Sequence, residues 1–265
     1  MMMQREKDDV RAKKRLGQHF LNDLEIAGRI TSALSPETER VLEIGPGMGV
    51  LTRFLLQKKG MQLHAIELDE ESVSYLQQHF PELAPRLHHG DFLKINLDTI
   101  IDAPFSVIGN FPYNISSQIL FRILEYRDSI PEVVGMFQKE VALRIASKPG
   151  NRDYGILSVL LQAFYDIEYL FTVDENRFNP PPKVKSAVIR LRRNSREQLP
   201  CDETLWRRII KTAFNQRRKT LRNSLKNISF EEGTTTTELF GKRPEQLGVE
   251  DFIFLTQHST ETTKQ

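Results

Sequence analysis

The sequence contains almost no cysteine and no long apolar run. Cys201 is the only cysteine among 265 residues, which excludes an intramolecular disulfide and a zinc cluster built from cysteines. No stretch is apolar over the roughly 20 residues that a membrane-spanning helix needs. Residues 1–16 are polar and charged, without the apolar core of a secretory signal. No Ser-His-Asp set or metal-binding cluster is evident. We therefore expect a cytoplasmic protein without a membrane partner or a metal.

Acidic and basic residues nearly balance, but they are unevenly distributed along the chain. The formal net charge is +2. Residues 183–226 contain 14 Lys or Arg against three acids, a local charge of +11, so the rest of the chain carries −9. Such a separation predicts that one region of the molecule meets a polyanion. A solvated helical surface would give the same composition.

The first part of the chain has the pattern of alternating strands and helices. Apolar segments typical of buried strands lie at residues 41–44, 62–68, 106–109 and 133–137. Segments with helical periodicity lie between them, at residues 50–59, 70–80 and 116–126. An earlier helix is expected to begin at Asn22 or Asp23. This order predicts an α/β fold, a mostly parallel sheet with helices on both faces.

The pattern changes after residue 154. Residues 156–164 favour an apolar helix, and residues 167–173 and 187–192 favour strands that would close the edge of the sheet. A polar linker at 194–199 precedes a helical pattern, and the last residues, 260–265, are expected to fray. The sequence thus predicts two domains, residues 1–195 and a small helical domain, residues 196–265.

A glycine turn, GPGMG at residues 45–49, follows the first strand of the alternating region. A glycine turn between a strand and a helix can set backbone N–H groups and the positive helix end against an anion. Val50 stands where a dinucleotide fingerprint has its third glycine, which disfavours NAD. The spacing instead resembles the S-adenosylmethionine (SAM) turn of Rossmann-like methyltransferases.

Two acidic residues lie at the ends of the next two strands. Glu67 stands about where an acidic residue meets ribose hydroxyls, and Asp91 where a carboxylate can accept a hydrogen bond from an adenine amine. Because the carboxyl ends of parallel strands meet at one edge of a sheet, the turn and both acids are expected to form one pocket. The alternative is a sterically required turn with two exposed acids.

The sequence NFPY at residues 110–113 follows the fourth strand at the same edge. An exocyclic adenine amine is a poor nucleophile because its lone pair is delocalised into the ring. The side-chain carbonyl of Asn110 and the backbone carbonyl of Phe111 can accept hydrogen bonds from the amine and favour the form that attacks a methyl sulfonium. Pro112 stiffens the turn, and Tyr113 is expected to stack on the base. The turn and this motif together predict methyl transfer to a base amine.

A proline-rich segment at residues 177–184 carries a further aromatic side chain, Phe178. The prolines make the segment rigid and extended, so it can present Phe178 as the second wall of a base slot. A proline-rich loop with a core phenylalanine would give the same pattern.

Five segments together resemble the signatures of the KsgA/RsmA rRNA adenine N6,N6-dimethyltransferases. They are KRLGQHFLND at residues 14–23, EIGPG at 43–47, GNFPYNISS at 109–117, QKEVA at 138–142 and FNPPPKVKS at 178–186. The resemblance implies an enzyme that uses SAM to dimethylate two adjacent adenosines near the 3′ end of small-subunit rRNA during ribosome assembly. It also implies a Rossmann-like SAM-binding catalytic domain with a small α-helical C-terminal domain.

The resemblance further implies roles for individual residues. Those implied to bind SAM are His19, Leu21, Gly45, Gly47, Glu67, Asp91 and Asn110. Those implied to surround the target base are Asn110, Pro112, Tyr113 and Phe178. His19 stands where many relatives carry asparagine, and both side chains offer a polar edge.

A basic helix is expected in the C-terminal region. If residues 205–226 form one continuous helix, seven of its basic side chains fall within an arc of about 120°. The RNA contacts expected from this stripe are Arg207, Lys211, Arg218 and Arg222. A one-sided basic stripe suits phosphate contacts to structured RNA. A break near Asn215 would change these phases, and the solvent-facing side of a core helix is the alternative.

Three other functions share part of this pattern. An Erm-type enzyme would modify one adenine of large-subunit rRNA, although QKEVA and Gly109 favour the first family. A catalytically silent assembly factor would not need Asn110, Tyr113 and Glu67 intact. A DNA adenine methyltransferase usually has proline at the position of Phe111. The favoured expectation is a monomeric enzyme acting on rRNA of an immature small subunit.

Overall fold

The structure is a computed structural model that describes residues 10–261. Most of the expected frayed tail, residues 262–265, and the first nine residues of the polar leader lie outside the described residues. The chain splits into two compact units. One contains the residues up to Ala142 together with Glu168–Arg193, and the other contains Leu143–Ile167 together with the residues from Asn194 onward. The second unit thus includes a segment that the expected boundary at residue 195 assigns to the first, and the domain division stays a prediction.

The strands of the described chain lie within the first unit, except that one of them begins in the second. They are β1 (Phe20–Leu21), β2 (Arg40–Ile44), β3 (Gln62–Glu67), β4 (Leu87–His89), β5 (Ser106–Asn110), β6 (Glu132–Gln138), β7 (Tyr165–Val173), β8 (Phe178–Asn179) and β9 (Ser186–Arg193). Seven of them form a sheet in the order β4-β3-β2-β5-β6-β9-β7, and β1 pairs with β8.

The large sheet is mostly parallel. Neighbouring strands from β4 to β6 run parallel, and β9 runs antiparallel to β6. The predicted α/β fold is therefore confirmed, including the two late strands at the sheet edge. The strand order reverses between β2 and β5, because the chain goes from β2 to β3 on one side and returns to β5 on the other. Ligands of such sheets bind outside the carboxyl ends of the strands at this point.

Helices connect and flank these strands. The α-helices are α1 (Leu24–Ser32), α2 (Thr52–Leu55), α3 (Glu70–His79), α4 (Ser116–Glu125), α5 (Lys139–Ala146), α6 (Ile156–Gln162), α7 (Glu203–Asn215), α8 (Leu221–Ser224) and α9 (Val249–Gln257). Asp23, one of the two expected caps, begins α1, and its Oδ1 accepts a hydrogen bond from the backbone N–H of Ile26 at 3.0 Å. This bond satisfies one of the free N–H groups at the helix start.

The helix expected at residues 50–59 is much shorter than the pattern indicates. Only Thr52–Leu55 are helical, and turns occupy both sides. Gly49 has φ +75° and Gly60 has φ +79°, a conformation that a right-handed helix does not contain. Leu51 and Leu55 are nevertheless buried, since the turns keep the apolar side chains facing the core.

One core of the first unit lies on the sheet around α1 and α2. Its members include Ala27 and Ile30 of α1, and Val41, Ile108 and Val134 of the central strands, all fully buried. Interiors of this kind are close-packed and yield little to local strain. The strand ends that follow these residues are therefore held on a rigid support.

Most elements of the second unit are helices. Asp202 caps α7 by accepting a hydrogen bond from the N–H of Leu205 at 2.9 Å, and Trp206 is fully buried. α7 contacts α6, α8 and α9. The continuous helix considered for residues 205–226 is not present, because α7 ends at Asn215 and the next helix starts at Leu221. Across the described chain, none of the helices is long and apolar enough to cross a membrane.

Candidate active site

A cavity of about 280 Å³ opens at the carboxyl ends of β2 to β5 in the first unit. Eight of the residues expected in the site line it, namely His19, Gly45, Gly47, Glu67, Asp91, Asn110, Pro112 and Tyr113. The strand registers explain this gathering. Ile44 lies opposite Ile66 and Glu43 opposite Ile108, so the turn after β2 and the ends of β3 and β5 reach the same level.

The glycine turn is a backbone structure that needs glycine. Gly45, Gly47 and Gly49 have φ of 66°, 57° and 75°, all in the left-handed region. A Cβ on Gly47 would also lie 2.8 Å from the ring of Phe20. The turn predicted from the glycine spacing is therefore present, and its positive φ angles are the reason that it needs glycine.

The three glycine amides of the turn are hydrogen-bonded within the protein rather than free to hold an anion. The N–H of Gly45 donates to the carbonyl of Ile66 at 2.9 Å, and that of Gly47 donates to Glu67 Oε2 at 3.0 Å. The N–H of Gly49 donates to the carbonyl of Pro46 at 2.8 Å. Since α2 is only four residues long, the positive end of a helix is not available either. The turn instead holds the Glu67 carboxylate.

Glu67 is a buried carboxylate, 4% exposed, at the end of β3. Its Oε1 accepts from the N–H of Asp69 at 2.9 Å, in addition to the bond from Gly47. Burial raises the pKa of Glu67 above its ordinary value, and the backbone N–H donors oppose the rise. A carboxylate has about four acceptor positions, so two fixed N–H bonds leave room for a diol.

Asp91 lies just beyond the end of β4, with its side chain 26% exposed. Its Oδ1 accepts from the N–H of Leu93 at 3.0 Å, and its Oδ2 lies 3.6 Å from Nζ of Lys94. The bond to Leu93 fixes the carboxylate at the cavity wall. Oδ2 can still accept a further hydrogen bond.

Asn110 ends β5 with its amide in a defined orientation. Its Nδ2 donates to the backbone carbonyl of His19 at 2.9 Å. Because that carbonyl can only accept, the Nδ2 atom must face it and the Oδ1 atom must face away. The next residue, Phe111, has its ring fully buried edge-on against Phe137, so its backbone is what remains for the cavity.

His19 and Tyr113 are stacked beside Asn110, with ring centroids 5.5 Å apart and 27° between the planes. His19 Nδ1 lies 2.8 Å from the carbonyl of Pro180, so this nitrogen carries the proton. The hydroxyl of Tyr113 is hydrogen-bonded to Oγ of Ser186. Burial raises the pKa of Tyr113, and the bond to Ser186 offsets only part of the rise, so the phenol stays neutral. The pair offers a flat surface.

Leu21 and Phe178 lie apart from this cavity. They face each other in the β1–β8 pair and belong to the same core cluster, with exposures of 4% and 3%. Leu21 lines a separate cavity of about 30 Å³ beneath the glycine turn, together with Gly45 and Asn110. Phe178 does not line the main cavity, because pairing with β1 turns its ring into the core. The expected position of Phe178 in a base slot is thus not found.

The expected RNA contacts lie in the second unit and do not share one helical stripe. Arg207 on α7 pairs with Glu203 at 2.6 Å. Lys211, on the same helix, is exposed. Arg218 and Arg222 are exposed as well, but they lie after the end of α7. The break changes the helical phases, so the arc of about 120° does not apply.

Sequence reasoning missed several features of the site. Arg15, Leu16 and Gln18 line the cavity, although the KRLGQHFLND segment gave a site role only to His19 and Leu21. Glu43, behind the glycine turn, is 1% exposed and accepts a hydrogen bond from Oγ1 of Thr52 at 2.7 Å. The sequence signal that could have identified Glu43 is an acidic residue inside an apolar strand. No group of three or more His, Cys, Asp or Glu within residues 10–261 is placed to hold a metal ion.

Comparison with known sequences identifies relatives over nearly the whole chain. A sequence model of the family described as ribosomal RNA adenine dimethylase matches residues 10–243. Ribosomal RNA small subunit methyltransferase A of Cytophaga hutchinsonii is 57% identical over 251 residues, which cover 94% of this chain and 97% of that protein. The protein of the same name from Porphyromonas gingivalis is 58% identical over 256 residues, which cover 93% and 97%.

Solved structures show the same fold. A dimethyladenosine transferase from Plasmodium falciparum superposes with a TM-score of 0.72 at 24% identity, covering 91% of this chain and 99% of that one. The 23S rRNA methyltransferase ErmE superposes with a TM-score of 0.65 at 26% identity, covering 90% and 100%. The arrangement of this sheet is therefore shared with methyltransferases that differ widely in sequence.

Proposed function

The chain belongs to the ribosomal RNA adenine dimethylase family, and on that premise we propose that it dimethylates the N6 amines of two adjacent adenosines near the 3′ end of small-subunit rRNA. One observation carries the proposal beyond the family name. Glu67 at the end of β3 and Asn110 at the end of β5 line the same cavity. The carboxylate that can bind the ribose of the cofactor and the acceptor for the target amine therefore lie in one cavity. The reaction belongs to ribosome biogenesis.

SAM is the methyl donor that the cavity fits. Glu67 is a buried acid whose fixed bonds leave acceptor positions for ribose hydroxyls, and Asp91 has a free acceptor for an adenine amine. His19, Gly45 and Gly47 complete this wall, and Leu21 supports the turn from beneath. When bound, SAM would supply the electrophilic methyl group.

Asn110 and the backbone carbonyl of Phe111 hold the target amine. The fixed bond from Nδ2 to His19 leaves Oδ1 as an acceptor that needs no reorientation when the base arrives. Pro112 restricts the backbone that follows, and the neutral Tyr113 stacks on the base. Each transfer forms an N–C bond, breaks the S–CH3 bond of the donor, and releases S-adenosylhomocysteine and one proton. The attack needs in-line positioning more than a strong base, so positioning carries most of the catalysis here. Phe178 contributes by supporting β1 rather than by touching the base.

The RNA partner is held by exposed basic side chains of the second unit. Lys211, Arg218 and Arg222 are exposed, and Arg207 keeps part of its guanidinium accessible beside Glu203. Such side chains bind phosphates of any sequence and give salt-dependent affinity. We propose that the substrate is rRNA in an immature small subunit, met by a cytoplasmic monomer.

Methylation in vitro tests the proposal. The full chain, SAM with a labelled methyl group and immature small subunits should give two dimethylated adenosines in the small-subunit rRNA. Naked large-subunit rRNA should stay unlabelled under the same conditions. Label only in large-subunit rRNA would support an Erm-type enzyme instead, and no SAM binding at all would support a silent assembly factor.

A further inference from the structure

One wall of the cavity is an N-terminal strap, here defined as residues 13–21. Six of its residues line the cavity, namely Arg15, Leu16, Gly17, Gln18, His19 and Phe20. Apart from one short 3₁₀ turn (Lys14–Leu16) and the two residues of β1, the strap has no regular structure. Its position over the cavity must therefore come from contacts with other parts of the protein.

The later end of the strap is held by backbone contacts. β1 pairs with β8, and Nδ2 of Asn110 donates to the carbonyl of His19 at 2.9 Å. The N–H of Asn22, directly after the strap, donates to the carbonyl of Arg177 at 2.9 Å. This end is therefore fixed independently of the side chains at the early end of the strap.

The early end is held to Asp69 by the side chains of two residues, Gln18 and Lys13. Nζ of Lys13 forms ion pairs with Asp69 and, at 3.0 Å, with Glu71 of α3. The backbone N–H of Lys13 also donates to Oε1 of Gln18 at 2.9 Å, which folds the strap on itself. The Asp69 side chain is only 2% exposed, so its charge depends on a partner that the protein supplies.

Asp69 is connected to the cofactor side of the cavity. Burial raises the pKa of Asp69, but the hydrogen bond and charge of Lys13, together with hydrogen bonds from Ser72 and Gln18, hold the pKa below its ordinary value. The N–H of Asp69 donates to Oε1 of Glu67 at 2.9 Å, and Oε2 of Glu67 accepts from Gly47. The Lys13–Asp69 ion pair is thus connected through the backbone N–H of Asp69 to Glu67, the acid proposed to bind ribose.

We infer that Lys13 is a positioning residue, which by pairing with Asp69 holds the N-terminal strap closed over the SAM site. The inference rests on the proposed function, because it takes SAM as the ligand of the cavity. Lys13 does not touch the reacting atoms, and its charge is used inside the protein. It therefore does not contact RNA phosphates, although it lies in a run of basic residues.

The test compares Lys13→Met with Lys14→Met in the full chain without RNA. Lys14 is the neighbouring lysine of the strap and is exposed. Its replacement removes the same positive charge but leaves the ion pair between Lys13 and Asp69 intact. If the strap is closed in about one molecule in ten without Lys13, the apparent Kd for SAM rises about tenfold in calorimetric titration. Lys14→Met should keep the wild-type Kd, and Lys13→Arg should recover most of the affinity.

Two further readouts separate positioning from general damage. Amide hydrogen exchange of residues 14–19 should be faster in Lys13→Met than in wild type, with or without SAM. In methylation assays the KM for SAM should rise, whereas kcat at saturating SAM should stay near the wild-type value. If Lys13→Met alone does not fold, the double variant Lys13→Met/Asp69→Asn, which also removes the charge of Asp69, should fold and show the same weakened SAM binding.

Other results would overturn the inference. A wild-type Kd and wild-type exchange in Lys13→Met, or in the double variant, would show that the strap does not need the ion pair. An unchanged SAM affinity with a smaller salt dependence of RNA binding would assign Lys13 to a phosphate. Failure of the wild-type chain to bind SAM would contradict the proposed function instead. The exchange measurements would still test whether Lys13 holds the strap.

Discussion

At the scale of single residues, the orientation of the Asn110 amide decides what the cavity can do. We expect Asn110→Ala to lower kcat by about 10²–10³, the usual effect of removing one preorganised polar group from an active site. The melting temperature should change little, because the side chain is only partly buried at the cavity edge. Asn227→Ala, at an exposed position, is the control. Near-normal dimethylation by Asn110→Ala would rule out the mechanism.

Glu43 makes a different prediction, about stability and pH. Burial raises the pKa of Glu43 to about 8; the hydrogen bond from Thr52 lowers it in part, and the nearby charge of Glu67 raises it further. The folded protein therefore keeps this proton where the unfolded chain, with an ordinary pKa near 4.5, has released it. The stabilising contribution is complete below the unfolded value and is lost as the pH rises toward the folded value.

Glu43→Gln should remove this dependence, because glutamine carries no titrating proton. The free energy of unfolding of the wild type should fall between pH 5 and 8 by on the order of 3 kcal/mol more than that of the variant. Denaturant unfolding at a series of pH values measures the difference. Glu232→Gln, at an exposed site, should follow the wild-type curve. Parallel curves for wild type and Glu43→Gln would show that Glu43 ionises normally.

At the scale of elements, the glycine turn can be tested with a matched pair of alanine substitutions. Gly47 and Gly60 both have positive φ, but only at Gly47 would a Cβ meet another group, the ring of Phe20 at 2.8 Å. Backbone strain from alanine should therefore be similar in both variants, about 1 kcal/mol. Gly47→Ala should in addition displace the strap and weaken SAM binding, whereas Gly60→Ala should bind SAM normally. Equal SAM affinity in both would separate the turn from the cofactor site.

The role of Phe178 in the β1–β8 pair can also be tested at the scale of elements. Because the Phe178 ring is 3% exposed and packs in the core, Phe178→Ala should lower the free energy of unfolding by about 3–5 kcal/mol. Phe178→Leu should keep most of the stability and near-normal methylation. If Phe178 instead stacks on the base, Phe178→Leu would keep its stability but lose activity. Thermal melting and initial rates on the same two variants decide between these roles.

Elements were predictable from sequence where the signal is local, and not where it depends on distant contacts. β2, β3, β5 and β6 are short apolar runs, and their parallel order puts Glu67 and Asn110 at one edge. The short α2 was not predictable, because the turn before it is fixed by Glu67, which lies on another strand. For Phe178 the sequence left two possibilities open, a base-slot residue and a core phenylalanine, and the pairing of β8 with β1 decides for burial in the core.

At the scale of the whole molecule, the positive charge is gathered in one part of the chain but does not lie on a single helix. Residues 183–226 carry a net charge of +11, and many of their basic side chains after α7 are exposed. A field of this sign raises the rate and affinity of encounter with RNA without requiring a regular stripe. The prediction for RNA binding therefore survives the end of α7 at Asn215, although the helical-phase argument for it does not.

Arg218 and Arg222 test this directly, since both are exposed and lie beyond the break. Replacing both by glutamine should weaken RNA binding and lower the slope of log K against log salt by about 1–2, because each phosphate contact contributes about 0.9 on duplex DNA and about 0.7 on single strands. Arg53→Gln, an exposed arginine of the first unit, should leave the slope unchanged. SAM affinity should be the same in all three proteins. A slope that stays at the wild-type value in the Arg218/Arg222 variant would place the RNA surface elsewhere on the protein.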